Sequence, residues 1–378
     1  MMKIQIDGTN TVNKGAELML YAVLEQIEQK YPEAEVVFNT YFGKPNEINT
    51  NLKFKKRALL SLSIYPDVIF RKLGIPQTRL STFYPEKGID VVFDASGFRF
   101  GDQWKHSDDY LDRQEKYFKS LKKEKTKIIM LPQALGPFST SSAKRSAQII
   151  NKYVDYIYAR EIDSYDYLIK AGVDKDKASV CTDFTNIVDG ISSDDVAGKV
   201  CIIPNQKMIS ETDLKLGDYV KFINNVITYI HKNNLEVFLL NHEGEGDLEI
   251  CKLVQNKAVK NVPIISNKNA KEVKGIIGDS YAVIASRFHG VASSLSQSVP
   301  CLATSWSHKY EMLFNDYGLS DYLIEASADN QSLESQIDKI INKDQNLKLR
   351  NYLNTKAPIL KDDVNKMWES IWSRVLDK

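Results

Sequence analysis

The chain has 378 residues, 43% hydrophobic and 26% charged, a balance that supports full cores and excludes a disordered polymer. Lys and Arg number 50 against 49 Asp and Glu, a formal net charge of +1, which argues against a dedicated nucleic-acid binder with its strong basic excess. Cys181, Cys201, Cys251 and Cys301 are widely spaced with no CxxC, so buried reduced thiols are expected, not a disulfide framework or a zinc site.

The opening MMKIQIDGTN reads as a short strand, not a signal peptide. No apolar run approaches the ~20 residues that span a bilayer, and a cytoplasmic protein is expected. Further apolar runs follow at 35–40, 90–96, 127–133, 155–160, 178–183, 199–205, 236–242, 263–266, 281–286 and 300–306. Many are apolar at successive positions, the pattern of parallel strands covered on both faces. Amphipathic segments lie between them, among them 16–30, 110–123, 213–233 and 270–277. The alternation predicts α/β architecture. Eleven strands are many for one sheet, and the polar, Gly-containing stretch 190–199 suggests a division. The expected fold is two Rossmann-like, doubly wound domains facing a cleft, 1–192 and 193–343, with a helical tail from 344 to 378. Trp368 and Trp372, one helical turn apart, would dock that tail on a domain surface.

Ligands of open α/β sheets bind beyond the carboxyl ends of the strands, so the residues after each strand carry the candidates. After the first come Asn13 and Gly15, ahead of a helix whose N-terminus could meet an anion; an ordinary Asn-capped turn reads equally well. The G-x-G-x-x-G dinucleotide fingerprint is absent. GFRFGDQW (97–104) opens with Gly97 in a loop carrying Arg99, and Asp94 before it serves as a loop cap. His106, Asp108 and Asp109 read as a solvated helix start, and no metal site is expected. Pro132, Gln133, Gly136 and Pro137 make a stiff loop at the end of the run 127–133, with Gln133 held at the cleft. Arg160 is either paired to a carboxylate such as Asp183 or holds an anionic ligand. ASRFHGVASS (285–294) ends a strand on Arg287 and His289, with Phe288 between them turned to the core. His308 and Lys309 follow the next strand. Two successive strand ends therefore present Arg and Lys beside titratable His, the composition of an anion site with a proton donor. The Lys-rich runs 53–57 and 119–127 could approach a membrane surface, although such runs are usually solvated.

Together NKGAE (13–17), ASGFRFGDQ (95–103), LPQALGPF (131–138), YAREIDSYDYL (158–168) and SRFHGVASSLSQSVPCLATSWSHKYEML (286–313) resemble the polysaccharide pyruvyl transferase family. The resemblance implies a GT-B-like pair of Rossmann-like domains, with acceptor binding on the N-terminal side and the Arg-x-His donor site in the C-terminal domain. It implies phosphoenolpyruvate as co-substrate, no other cofactor, a sugar hydroxyl pair as acceptor (soluble or lipid-linked), and a pyruvate ketal of a cell-surface polysaccharide as product. The resemblance suggests His289 as general acid, with Arg287 and Arg160 beside it as catalytic cations. Asn13, Gly15, Gly97, Gln133, Asp183, His308 and Lys309 are the candidate substrate contacts. Two alternatives stay open: a nucleotide-sugar glycosyltransferase of the same architecture, and a non-catalytic protein that binds a glycan or phosphate.

Overall fold

The computed structural model describes residues 1–38, 48, 50–56, 88–305, 307, 309–326 and 329–376. The chain divides into two compact units. The first comprises Met1–Thr11, Met19–Phe184 and Val364–Lys378; the second comprises Val12–Leu18 and Thr185–Asp363.

Among the described residues the first unit holds β1 (Lys3–Asp7), β2 (Glu35–Phe38), β3 (Lys53–Lys56), β4 (Val91–Asp94), β5 (Lys127–Gln133), β6 (Tyr156–Ala159) and β7 (Ala178–Val180). They form one sheet in the order β3-β2-β1-β4-β5-β6-β7, parallel throughout. The crossovers carry α1 (Lys14–Lys30), α2 (Asp108–Lys123), α3 (Ser141–Tyr153) and α4 (Ile162–Lys170). Ser107 and Thr140 cap α2 and α3 by accepting the Tyr110 and Ala143 N–H groups, which satisfies donors that a helix start leaves unpaired. The central strands β1 and β4 are buried along nearly their whole length; β4 is apolar at three successive positions, as burial on both faces favours, whereas β1 (KIQID) also buries Gln5 and Asp7.

The second unit holds β8 (Val200–Ile203), β9 (Val237–Leu240), β10 (Ile264–Ile265), β11 (Ala282–Ala285), β12 (Cys301–Thr304) and β13 (Leu323–Ile324). These pair in the order β10-β9-β8-β11-β12-β13, again all parallel. Its helices are α5 (Lys207–Ser210), α6 (Leu216–Lys232), α7 (Gly244–Lys257), α8 (Ala270–Gly278), α9 (Phe288–Ser296), α10 (Lys309–Asp316), α11 (Asn330–Ile341) and the first part of α12 (Lys343–Leu376). Helix α6 shows why they pack. Tyr219, Phe222, Ile223, Val226, Ile227 and Ile230 lie on one buried stripe, and each full burial contributes about 1.5–3 kcal/mol.

All eleven apolar runs contain strands. Two strands lie outside those runs. β13 is two residues long. β3 falls in the Lys-rich run KFKK, where Glu35 of β2 lies opposite Lys53; lysines on an edge strand deter pairing with another sheet. Residues 119–123 of the other Lys-rich run close α2, with Lys122 Nζ 2.7 Å from both Asp155 carboxylate oxygens.

The units divide at Phe184/Thr185, short of the expected 192/193, because the segment after Thr185 is bonded to α8. Lys274 Nζ donates to the Thr185 carbonyl at 2.7 Å, Ile191 N to Lys271 O at 2.9 Å, and Ser193 N to Asp279 Oδ2 at 2.6 Å. The tail is likewise split. Leu349 and Leu353 join the second core, whereas residues from Val364 on belong to the first unit. There Trp368 meets Phe93 edge-on at 5.6 Å, and Trp372 meets both Phe93 and Tyr31, so the tryptophan pair docks the tail. All four cysteines are buried and unbridged. No described helix is long and apolar enough to cross a membrane.

Candidate functional site

Each sheet has one place where the strand order reverses. In the second it lies between β8 and β11, and the crevice beyond such a switch point is where open α/β sheets take ligands. Asn205 follows β8, and Ser286, Arg287 and His289 follow β11. A buried polar network fixes this corner. The Ser286 hydroxyl lies 2.5 Å from Thr304 Oγ1 and accepts from Tyr219 OH at 2.7 Å. Its carbonyl accepts from Asn205 Nδ2 at 2.7 Å and Tyr310 OH at 2.8 Å. With four side chains from elsewhere in the chain bonded to one residue, the backbone leaving β11 is held in place, and Arg287 becomes the N-cap residue of α9. Phe288 is buried in the core, which leaves Arg287 and His289 on the other side.

Arg287 is paired in place. Its Nε and Nη2 donate to the two oxygens of Asp247 at 2.8 and 2.6 Å, and Nη1 contacts the Glu243 carboxylate. Asp247 is wholly buried and also accepts from Gln206 N. Burial pushes its carboxyl up to about 7 and pulls Arg287 down to about 10; the bidentate contact opposes both shifts. Glu243 is shared differently. Its Oε1 accepts from Asn13 Nδ2 at 2.9 Å, so one carboxylate bridges Asn13 and Arg287. Asn13 is at the same time the cap of α1, its Oδ1 accepting from Gly15 N at 2.9 Å and Ala16 N at 3.2 Å.

Gly15 has a steric role. A Cβ there would lie 2.2 Å from Nδ1 of His289, so glycine lets the imidazole lie against the first turn of α1. Lys309 Nζ stands 5.3 Å from the Phe288 ring and 5.8 Å from that of Tyr310, within cation–π range. His308 lies outside the described residues. His242, between β9 and Glu243, is 3% exposed, and its Nδ1 has no hydrogen-bond partner among the described residues. Burial, then Arg287, His289 and Lys14, hold its pKa well below the usual histidine value, so its ring is neutral.

The remaining sequence candidates belong to the first unit. Arg160 lies 3.6 Å from both Asp183 and Glu161, the paired arrangement of the two weighed for it. Gln133 is wholly buried rather than held at a cleft; its Nε2 reaches the Leu131 carbonyl at 3.5 Å, and its Oε1 has no partner among the described residues. Gly97 adopts φ +67, its carbonyl accepts from Ala134 N, and a Cβ would meet Met19 Sδ at 2.9 Å. These contacts make it a turn and packing residue.

The switch point of the first sheet lies between β1 and β4, whose last residues, Asp7 and Asp94, are directly paired. Asp7 accepts from Gln5 Nε2 at 2.8 Å and Tyr117 OH at 2.5 Å. Asp94 accepts from Ser96 N at 3.0 Å and faces Arg99 Nη1 at 3.5 Å. Burial raises the Asp94 pKa, Arg99 opposes the rise, and Asp7 adds to it. Arg99 Nε donates to Tyr110 OH at 2.8 Å. His106 stacks on Tyr110 with ring centroids 4.1 Å apart, its Nε2 3.0 Å from the Arg99 carbonyl. The reading of His106 as part of a solvated helix start therefore needs correction; exposed Asp108 and Asp109 alone fit it. Asp7, Arg99, His106 and Tyr110, together with Ser96, Phe98 and Trp104, line a pocket of about 340 Å³.

Sequence reasoning passed over Glu243, Asp247 and His242 in the second unit, and Asp7, Tyr110 and Tyr117 in the first. NHEGEGD (241–247) follows a recognised strand, so weighing the residues beyond that strand would have found the acidic pair. Among the described residues no group of three or more His, Cys, Asp or Glu side chains is arranged to hold a metal ion.

A family model described as polysaccharide pyruvyl transferase matches residues 13–308. No curated protein matches the sequence. Among solved structures, a putative UDP-N-acetylglucosamine 2-epimerase from Listeria monocytogenes aligns with TM-score 0.61 at 10% identity, covering 100% of this chain and 97% of its own. MnaA of S. aureus, solved with UDP, gives 0.59 at 11%, covering 100% and 98%. Anabaena Alr3699/HepE in complex with UDP and glucose gives 0.58 at 12%, covering 99% of each chain. At such identities the likeness shows the fold alone, a GT-B-like chain of two Rossmann-like units.

Proposed function

Because the chain belongs to the polysaccharide pyruvyl transferase family, we propose that it transfers the pyruvyl group of phosphoenolpyruvate to two hydroxyls of a sugar, free or lipid-linked. The products are a pyruvate ketal and inorganic phosphate. The observation that carries this reading is the Glu243 carboxylate bridging Asn13 and Arg287. That arrangement is a preformed carboxylate cradle: the Asn13 amide N–H, the Arg287 Nη1 group and the start of α9, with His289 close by. The donor's anionic groups would take the place of Glu243, while buried Asp247 keeps the guanidinium plane fixed. Lys309 is assigned to the donor phosphate.

In the reaction, C3 of the enol ester gains a proton and an acceptor hydroxyl adds to C2, releasing its own proton. The C2–O bond to phosphate then breaks, and the second hydroxyl closes the ketal as it loses its proton. His289 is the proton donor to C3. Arg287 neutralises the carboxylate attached to C2 throughout. These assignments are confined to the second unit; Arg160, Gln133, Asp183 and Gly97 are not part of them.

A nucleotide-sugar donor, as the UDP complexes of the similar folds would suggest, finds less support. A pocket of the second unit, about 740 Å³, is lined by Asp213, Glu311 and Glu325 and by no Lys or Arg among the described residues. Such a lining repels a diphosphate.

The direct test is Glu243→Gln. Removing a charged occupant that holds the cradle about nine-tenths of the time raises apparent phosphoenolpyruvate affinity about tenfold, read by calorimetry or thermal shift. Unchanged or weaker binding, or stabilisation by UDP instead, overturns the reading. Gly15→Ala gives an independent check. A displacement of His289 by about 1 Å lowers phosphate release by about a hundredfold with the circular dichroism spectrum unchanged; full activity would remove His289's position from the argument.

A further inference from the structure

Asn241 and His242 follow β9, and the donor chemistry described above uses neither. Each carries a buried polar atom with no hydrogen-bond partner among the described residues, Oδ1 of Asn241 and Nδ1 of His242. Leaving such an atom unpaired is costly, and one retained in a native protein calls for a functional explanation. His242 is 3% exposed, so bulk water does not stand in for the partner.

The surroundings of that ring are cationic. Arg287 from the end of β11, His289 from α9 and Lys14 from α1 act on it, and together with burial they hold it neutral. Carboxylates balance two of these charges. Glu243, the next residue, contacts Arg287 Nη1 and accepts from Asn13, while Asp247 takes the other two nitrogens of Arg287. Lys14 is paired with Glu17 at 2.6 Å. Arrival of phosphoenolpyruvate changes the balance. One carboxylate, that of Glu243, gives way to a donor with a carboxylate and a phosphate, and a phosphate ester alone carries roughly −1.5 to −2 at pH 7. The added negative charge favours the charged form of a histidine beside it. An imidazolium donates from both ring nitrogens, so Nδ1 then has a proton to share and an anion to share it with.

We propose that His242 is a donor-binding residue: it takes up one proton from solvent as phosphoenolpyruvate binds, and its Nδ1–H bonds an anionic oxygen of the donor. This role rests on the function proposed above and adds to it a contact and a linked proton. His289 remains the proton donor to C3; the proton on His242 is held and not transferred.

The test is calorimetric titration of the full chain with phosphoenolpyruvate in buffers of different ionisation enthalpy, which counts the protons taken up. Near neutral pH the parent is expected to take up about half a proton or more in excess of His242→Gln. Donor affinity of the parent should exceed that of the variant by about tenfold near pH 6 and by little near pH 8, because the complex holds the extra proton only at the lower pH. Asp247, whose carboxyl is pushed up to about 7, and the donor's own phosphate are common to both titrations, so the difference isolates His242. Equal proton uptake by the two proteins overturns the proposal. So does an affinity gap that stays constant with pH, the result of lost packing alone. Circular dichroism checks the fold of the variant. If it does not fold, the parent decides: of its five histidines, the ring of His242, assigned through its backbone in ¹⁵N spectra, is expected to pass from neutral to doubly protonated when phosphoenolpyruvate is added. A ring that stays neutral overturns the proposal. Failure of phosphoenolpyruvate to bind the parent overturns the proposed function and this role with it, whereas donor binding with His242 unchanged overturns this role alone.

Discussion

Replacing His289 with Gln is expected to cut phosphate release from phosphoenolpyruvate by about 10²- to 10⁴-fold, the usual contribution of a positioned general acid. Glutamine keeps roughly the size of imidazole but has no titratable proton to give. The place of His289 on α9 is set by the Ser286 network and by the absence of a Cβ at Gly15, neither of which the substitution removes. Phosphoenolpyruvate affinity should therefore stay within a few-fold of the parent while turnover falls. Rapid-quench measurement of phosphate with a matched acceptor, alongside donor titration, separates the two quantities. Turnover close to that of the parent would exclude the proton-donor role; a parallel loss of binding and turnover would make His289 a binding group instead.

The largest stability effect is expected at Trp368. Its side chain is 1% exposed and lies between Phe93 and Trp372. Trp368→Ala should cost about 3–5 kcal/mol, a large share of a typical total of about 5–15 kcal/mol. The indole Nε1 has no hydrogen-bond partner among the described residues, so Trp368→Phe keeps an aromatic face without leaving a buried donor unpaired and should recover most of the loss. Urea unfolding followed by circular dichroism measures both. Equal stability of the alanine variant and the parent would show that the tail contributes nothing to the first core.

Much of the fold was legible because parallel strands buried on both faces are rich in apolar residues, and each of the eleven runs contains a strand. β3 was not legible. KFKK has the composition of a solvated charge run, and only pairing with β2 makes it a strand. The Arg-x-His pair stood out because charge at the end of an apolar run is conspicuous, and Phe288 does turn to the core as the spacing of two suggests. What holds Arg287 was not visible. Asp247 is 40 residues away along the chain, and its carboxylate reads locally as one more acid in the first turn of α7.

The sequence by itself determined the strands, the period of the helices, the family motifs and the residues that leave β11. These follow from local patterning, since burial on a strand or helix face repeats every two or 3.6 residues. Only the tertiary structure decided which strand ends are neighbours. β8 pairs β11 across some 80 residues of sequence, and β1 pairs β4 across almost 90. Those two pairings create the switch points where Asn205 meets Ser286 and Asp7 meets Asp94. Local patterning says that a strand is buried but not beside which other strand, because one apolar parallel strand fits against another almost equally well. The order is set by the packing of the whole sheet, and with it the assembly of each candidate site.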